Sequence, residues 1–536
     1  MVTVAGNPKT AAELPFSAFF DSGATVTYAY ADPVASTVTG KRYALTTPAA
    51  PPASPMTVSG AATITGTYTT QFQLALSVSP PALPGGLGNV SGGTHGQFYD
   101  AGTVLTLAAT TPIAGGPGVG YVFSHWTGGV TPSPNRGNPV SVTMNEPQLV
   151  TANYAPLVLT WAGGYTFAAQ YSDPARLSVV LTLDGAAIAP KTISFAVGSD
   201  SGTALTDSTG SATDTTKLTQ APGGYAATVT CPVAQCGVLL SITHDFTVTT
   251  EDARATYTGA RFASTASATS STATVMLSAT IRDITAVVGD SAYDSDAGDI
   301  RKATLTFVNR AASGAVLCTA PIGLVNLADR KTGTATCDWM VDIGPLESAQ
   351  YTIGVIVGGY YLRDASVDDT AVIVSKPLNP FITGGGFLVL SNPAGQKAGD
   401  PGSKANFGFN VKYNRNGTDL QGSLNTIIRS DGRVYQVKAD SVTSLSVQPR
   451  ACSIPPCRAV LDGKARIQEI TDPASPVSID ENATLHVTMT DNGKPGRTDT
   501  IAITVWDEAG GLWFSTSWDG TATVEQPLDG GNLVVH

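Results

Sequence analysis

The chain has 536 residues, room for about three to five domains of roughly 100–150 residues, each able to bury its own core. Charged residues make up 13%, against about 25% in an ordinary soluble protein, and the deficit is filled by Thr, Ser, Gly and Ala rather than by long apolar runs. Thirty Lys and Arg face 41 Asp and Glu, a net charge of −11, which leaves no basic footprint for a phosphate backbone and excludes nucleic acid and anionic membrane as natural partners.

From Met1 to Phe20 there is neither a basic n-region nor a continuous apolar h-region, so no signal peptide is visible in this chain. No stretch approaches the roughly 18 uninterrupted apolar residues of a membrane span. Self-comparison then reveals a duplication. Phe20-Asp21-Ser22-Gly23-Ala24-Thr25-Val26 aligns with Tyr99-Asp100-Ala101-Gly102-Thr103-Val104-Leu105, and Pro55-Met56-Thr57-Val58 with Pro139-Val140-Ser141-Val142. Residues 1–72 and 73–155 therefore read as two copies of one small β-unit, the first truncated. In the second copy Val140, Val142 and Met144 alternate with Ser141 and Thr143, which predicts a strand with one buried face. Tyr121, Phe123, Trp126 and Tyr154 read as its core, since large aromatics carry most of the burial in a small β-domain.

The segments Gly120-Tyr121-Val122-Phe123-Ser124-His125-Trp126-Thr127-Gly128 and Val150-Thr151-Ala152-Asn153-Tyr154, following Tyr99-Asp100-Ala101-Gly102, resemble the divergent internalin-type B repeat of bacterial surface proteins. The resemblance runs over 73–155 and more weakly over 15–70. His125 stands where that pattern usually carries Gly, which implies a turn.

A second duplication follows. Leu177-Ser178-Val179-Val180-Leu181-Thr182-Leu183-Asp184 is echoed by Val275-Met276-Leu277-Ser278-Ala279-Thr280-Ile281-Arg282-Asp283. Short strands separated by turn signals such as Asp207-Ser208-Thr209-Gly210 and Ala221-Pro222-Gly223-Gly224 predict two β-sandwiches, 156–252 and 253–376. Thr206-Asp207-Ser208-Thr209-Gly210 with Pro222-Gly223-Gly224-Tyr225 resembles the bacterial Ig-like modules of adhesins, which act as rods and spacers. Two prolines in Lys376-Pro377-Leu378-Asn379-Pro380 mark a linker. Beyond it, Lys404-Ala405-Asn406-Phe407-Gly408-Phe409 and Asp491-Asn492-Gly493-Lys494-Pro495-Gly496 resemble a β-domain at the ends of secreted bacterial surface proteins, here 380–536. No sortase-type tail follows His536. The fold class expected is all-β: tandem small β-repeat domains, two Ig-like β-sandwiches and a C-terminal β-sandwich domain.

The six cysteines form three local couples, Cys231 with Cys236, Cys318 with Cys337, and Cys452 with Cys457. One couple per region, with no CxxC and no Cys/His cluster, fits three disulfides, the alternative being buried free thiols. Disulfides place the chain in an oxidising compartment, secreted or on a cell surface.

Chemistry leaves few traces. There is no Gly-x-Ser-x-Gly elbow, no His-Glu-x-x-His and no phosphate loop, and the histidines His95, His125, His244, His486 and His536 are scattered singly. No catalytic residue is assigned, and the expectation is a structural or adhesive extracellular protein that meets other proteins or glycans. The alternative is a carbohydrate-binding accessory region of a larger secreted enzyme. One acidic run stands out: Asp290, Asp294, Asp296 and Asp299 between two strands of the second Ig-like module. Alternating oxygen donors beside glycine suit calcium, which takes about 6–8 oxygens. A solvated hairpin loop closed by Asp299 and Arg301 accounts for the same run. Near the C-terminus Trp506, Trp513, Phe514 and Trp518 offer the other candidate. On a single strand Trp513 and Trp518 would face opposite sides, leaving one for a sugar or protein contact; core packing with incidental exposure is the plainer account of the same residues.

Overall fold

The computed structural model describes residues 1–47, 53–378, 380–450, 452–494 and 496–536. It is an all-β protein. Among the described residues the α-helical content is one turn, Val233–Cys236, and short 3-10 turns fill several connections. The chain forms two compact units, one of residues 1–166, 176–216 and 226–245, the other of 167–175, 217–225 and 246–536.

In the first unit Val2–Val4 lies between Asn7–Lys9 and Tyr28–Tyr30. The long strand Thr67–Ser79 pairs antiparallel with Lys41–Thr47 and parallel with Gln148–Trp161. It runs unbroken through residue 72, so the two related segments share one sheet. Val140, Val142 and Met144 are buried and Ser141 and Thr143 exposed, as the period of two requires. They close on Trp126, which has no exposed surface, with Phe123 5.2 Å from Trp126 and 5.9 Å from Tyr154 between ring centres. Tyr121 and Phe123 are half-buried against this cluster. His125 corrects the reading from sequence. It sits inside the strand Val119–Gly128, not on a turn, just after a bulge where the pairing skips Ser124. A bulge inserts one unpaired residue and re-aims its neighbours, which sequence alternation alone does not reveal.

The second unit holds two larger assemblies. In the first, Glu251–Tyr257, Thr272–Asp283, Asp329–Asp342 and Gly323–Asn326 form one hydrogen-bonded half, and Ala315–Pro321, Ala303–Asn309, Ser348–Gly359, Thr370–Ser375 and Phe262–Ser264 the other. Val275, Leu277, Ala279 and Ile281 alternate inward, together with Leu305, Phe307, Val355 and Val357, and all are fully buried. Cys318–Cys337 ties the two halves together. In the second assembly, strands from Phe381–Val389 to Leu512–Ser515 follow one another antiparallel, and Gly530–Val535 returns to pair with Phe381–Val389. The free edge of that last strand is capped. Leu533 N donates to Asp499 Oδ2 and Val535 N to Asp491 Oδ2, each at 3.0 Å, so two edge donors that would otherwise invite another strand are satisfied by buried carboxylates.

All three expected cysteine couples are disulfides. Cys231–Cys236 brackets the single helical turn, and Cys452–Cys457 closes the loop between Arg433–Gln448 and Cys457–Glu469.

Candidate metal centre

The acidic run follows Thr272–Asp283, and the chain there is pinned at several points. Asp283, fully buried, accepts from Thr285 N and Oγ1 through Oδ1, at 2.9 and 2.6 Å, and from Gly298 N and Tyr361 Oη through Oδ2, at 3.0 and 2.7 Å. Gly298 must be glycine for this closure, since a Cβ there would lie 2.3 Å from Tyr361 Oη and 2.7 Å from the Tyr171 ring. The four sequence-predicted aspartates then separate into two pairs. Asp290 makes a two-pronged ion pair with Arg254. Its carboxyl is held below the usual range, first by the Ala292 backbone N–H and then by that guanidinium. Asp299 accepts from Arg301 at 2.9 and 2.6 Å, which lowers its pKa, and caps the turn Ile300–Lys302. Both are committed to arginine. The four aspartates read from sequence therefore do not gather at one point, and two of them spend their carboxylates on bidentate arginine pairs.

Among the described residues no arginine pairs with Asp294 or Asp296. They meet Asp173 instead, and one carboxylate oxygen from each of the three lies within 4.8 Å of the others. Asp173 belongs to the 167–175 segment of the same unit, held by Ser172 N to Leu218 O and Leu218 N to Asp173 O. Its Oδ1 is buried with no hydrogen-bond partner. Ser172 adopts φ +74°, a left-handed conformation that a non-glycine residue rarely holds without support. The support is visible. Ser172 Oγ donates to Asp296 O at 2.6 Å and lies 3.2 Å from Glu251 Oε2. With its one proton committed to the carbonyl, the second contact needs a proton on Glu251.

The electrostatics agree. Glu251 is 1% exposed, and burial, reinforced by the charges of Asp294, Asp173 and Asp283, pushes its carboxyl up to about 8. Asp173 is raised to about 6 by burial and by Asp294 and Asp296, and Asp294 is raised by burial and by Asp283, Asp296 and Asp252. Lys217, which donates to Ala297 O at 2.7 Å, offsets part of this at Asp173. The donor set is oxygen only, with no sulfur or imidazole, and so suits a hard cation. Three carboxylates supply three to six oxygens, the remainder of a calcium shell being water. Asp173 and Glu251 were not found from sequence because each is separated from the acidic run by many residues and neither belongs to a local pattern.

Of the tryptophans, Trp513 is 3% exposed, packed edge-on to Tyr435 at 5.7 Å within the C-terminal core. It offers no face to a ligand. The strand Leu512–Ser515 ends before Trp518, so the alternation expected across one strand does not apply. Trp518 is half-buried against Met276, Val325, Trp506 and Leu512.

Residues 82–157 match the divergent InlB B-repeat domain. That segment contains the Trp126 and Tyr154 core described above. No curated protein matches the chain in sequence. Among solved structures, the native conformation of alpha-2-macroglobulin from E. coli aligns with 83% of this chain and 36% of its own, at 10% identity and a TM-score of 0.15. The surface layer protein SbsC, domains 4–9, aligns with 79% of this chain and 78% of its own, at 11% identity and a TM-score of 0.15. Salmonella alpha-2-macroglobulin aligns with 94% and 41%, at 10% and 0.16. The chain spans less than half the length of these alpha-2-macroglobulins. At TM-scores this low the alignments describe no shared arrangement.

Proposed function

We propose that this chain is an extracellular, non-catalytic structural protein of the bacterial surface, presenting its β-modules as a scaffold or adhesive surface. The observation that carries the reading is the B-repeat match at 82–157, and the three disulfides support it, since such bonds persist in oxidising compartments. No helix among the described residues is long and apolar enough to cross a membrane. Surface labelling of intact cells with a membrane-impermeant reagent tests the location: labelling of the chain supports the reading, and labelling only after lysis contradicts it.

The meeting of Asp173 with Asp294 and Asp296, with one carboxylate oxygen buried and unpaired, favours a further element of this reading. Calcium at these three residues fastens the acidic loop to the 167–175 segment and stiffens the second unit. Melting of the full chain in chelator and in calcium tests it, a rise in Tm being the supporting result. Equal curves dispose of the metal.

A further inference from the structure

The pleat gives the C-terminal sheet two faces. Leu485, Val487 and Met489, and Ile501, Ile503 and Val505, point into the core. Their neighbours His486, Thr488, Thr504 and Trp506, with Arg458 and Asp462 of the adjacent strand, therefore lie on the opposite face. A face meant for water would carry long charged side chains, but Asp462, His486, Thr504 and Trp506 are all buried. They are covered by the outer face of Thr272–Asp283 and its neighbours. Ser264 Oγ donates to Leu445 O at 2.7 Å, Ser264 N to Ser444 Oγ at 3.1 Å and Thr334 Oγ1 to Gly510 O at 2.8 Å, while Lys464 pairs with Asp338 at 3.2 Å. These bonds hold two polar faces together within the second unit.

The fit is incomplete. A cleft of about 560 Å³ remains between them, within the roughly 300–1,000 Å³ of small-ligand sites. Two buried groups on its wall, Thr280 Oγ1 and Trp506 Nε1, have no hydrogen-bond partner, although their residues are only 1% and 2% exposed. A buried polar group left unmet is destabilising, and these two lie on the wall of one cleft, where a ligand can complete them. His486 also lines the cleft. Its Nδ1 lies 2.6 Å from buried Asp462 Oδ1, which fixes the ring and leaves Nε2 as the nitrogen open to a ligand. Two exposed guanidiniums, Arg261 and Arg458, belong to the same lining, and among the described residues neither forms an ion pair; the one carboxylate of the lining, Glu525, accepts from Thr490 Oγ1 and Thr500 Oγ1 through Oε2, so the lining carries a net positive charge. Trp518, half-buried, supplies an aromatic surface.

This combination selects a ligand class. Sugar hydroxyls both donate and accept, and so can complete the indole N–H and the threonine hydroxyl, while the C–H face of a pyranose packs on an indole. Two guanidiniums without ion pairs favour an anion of planar or multi-oxygen form. We propose that this cleft binds a short acidic glycan, a sugar carrying a carboxylate or a sulfate, with Thr280, Trp506 and His486 reading its hydroxyls and Arg261 and Arg458 its charge.

Calorimetric titration of the full chain with uronate-containing, sulfated and uncharged oligosaccharides of equal length tests the proposal. At least one acidic series is expected to bind, and the preferred series identifies the anion. Affinity should fall at least tenfold in the exposed double variant Arg261→Ala/Arg458→Ala and severalfold in Trp518→Ala, with melting curves unchanged in the arginine variant. Asp173→Asn, in the candidate metal centre, should leave glycan binding unaltered, which separates this cleft from the metal reading. The proposal is overturned if no acidic oligosaccharide binds at millimolar concentration, if the uncharged series binds equally well, or if binding survives the arginine variant.

Discussion

The acidic centre and the C-terminal cleft both belong to the second unit and both collect polar side chains that the cores do not use, yet their charge balance is opposite. Around Asp173, Asp294 and Asp296 carboxylates crowd one another, Glu251 is driven to hold a proton, and one lysine is near. In the cleft, Thr280 Oγ1 and Trp506 Nε1 lack partners and two guanidiniums lack ion pairs among the described residues, beside one lining carboxylate, Glu525, that already accepts from two threonine hydroxyls. A cluster's sign and its unmet atoms, more than its residue types, indicate what would complete it. A cation answers the first, an anion-bearing polyol the second.

The largest expected contrast lies between the two neighbouring tryptophans. Trp513→Ala removes a core indole and should destabilise the protein by about 3–5 kcal/mol in denaturant unfolding. Trp518→Ala, at the cleft, should cost far less. Equal losses would mean that Trp518 is a core residue and the cleft merely a packing defect.

The metal response is the next largest expected effect. Ligand present at a hundred times its Kd stabilises by about 2.7 kcal/mol, so calcium should raise the Tm of the second unit by several degrees. Asp294→Ala should abolish the rise, whereas Asp290→Asn should retain it, because Asp290 already belongs to Arg254. Equal sensitivity of the two variants would restore the four-aspartate set read from sequence.

A smaller effect follows from Glu251. Its carboxyl titrates at about 8 in the folded chain against an ordinary 4.5. Between these values the folded state holds a proton that the unfolded state has released. Stability from this group is therefore complete below about pH 4.5 and declines as pH rises toward 8. Melting in chelator from pH 6 to 8, above the value of about 6 to which Asp173 is raised, should show that decline, and Glu251→Gln, which is neutral throughout, should lessen it. A slope identical in the variant would remove Glu251 from the account. The smallest change is expected for Asp299→Asn, within about 1 kcal/mol, since its ion pair with Arg301 is near the surface.

Much of the fold is legible in the sequence because its causes are local. The alternation of Val140, Val142 and Met144 determines which face is buried, and each cysteine finds its partner within the same region. Asp299 and Arg301 are two residues apart, so their pairing was also open to inspection. The candidate sites are assembled across longer distances. Arg254 reaches Asp290 from a neighbouring strand, Asp173 arrives from another segment, and the bulge at Ser124 shifts His125 by one position without altering composition. The cleft was least legible. Its residues are alternate positions on separate strands, indistinguishable in sequence from an ordinary solvated face until a second sheet covers them.

The central claim, an extracellular structural protein fastened by disulfides, is tested most directly by the intact mass of the native protein recovered from outside the cell, before and after reduction. Three closed bridges predict a gain of about two mass units per bridge. An unchanged mass, meaning six free thiols, would contradict the compartment on which the reading stands.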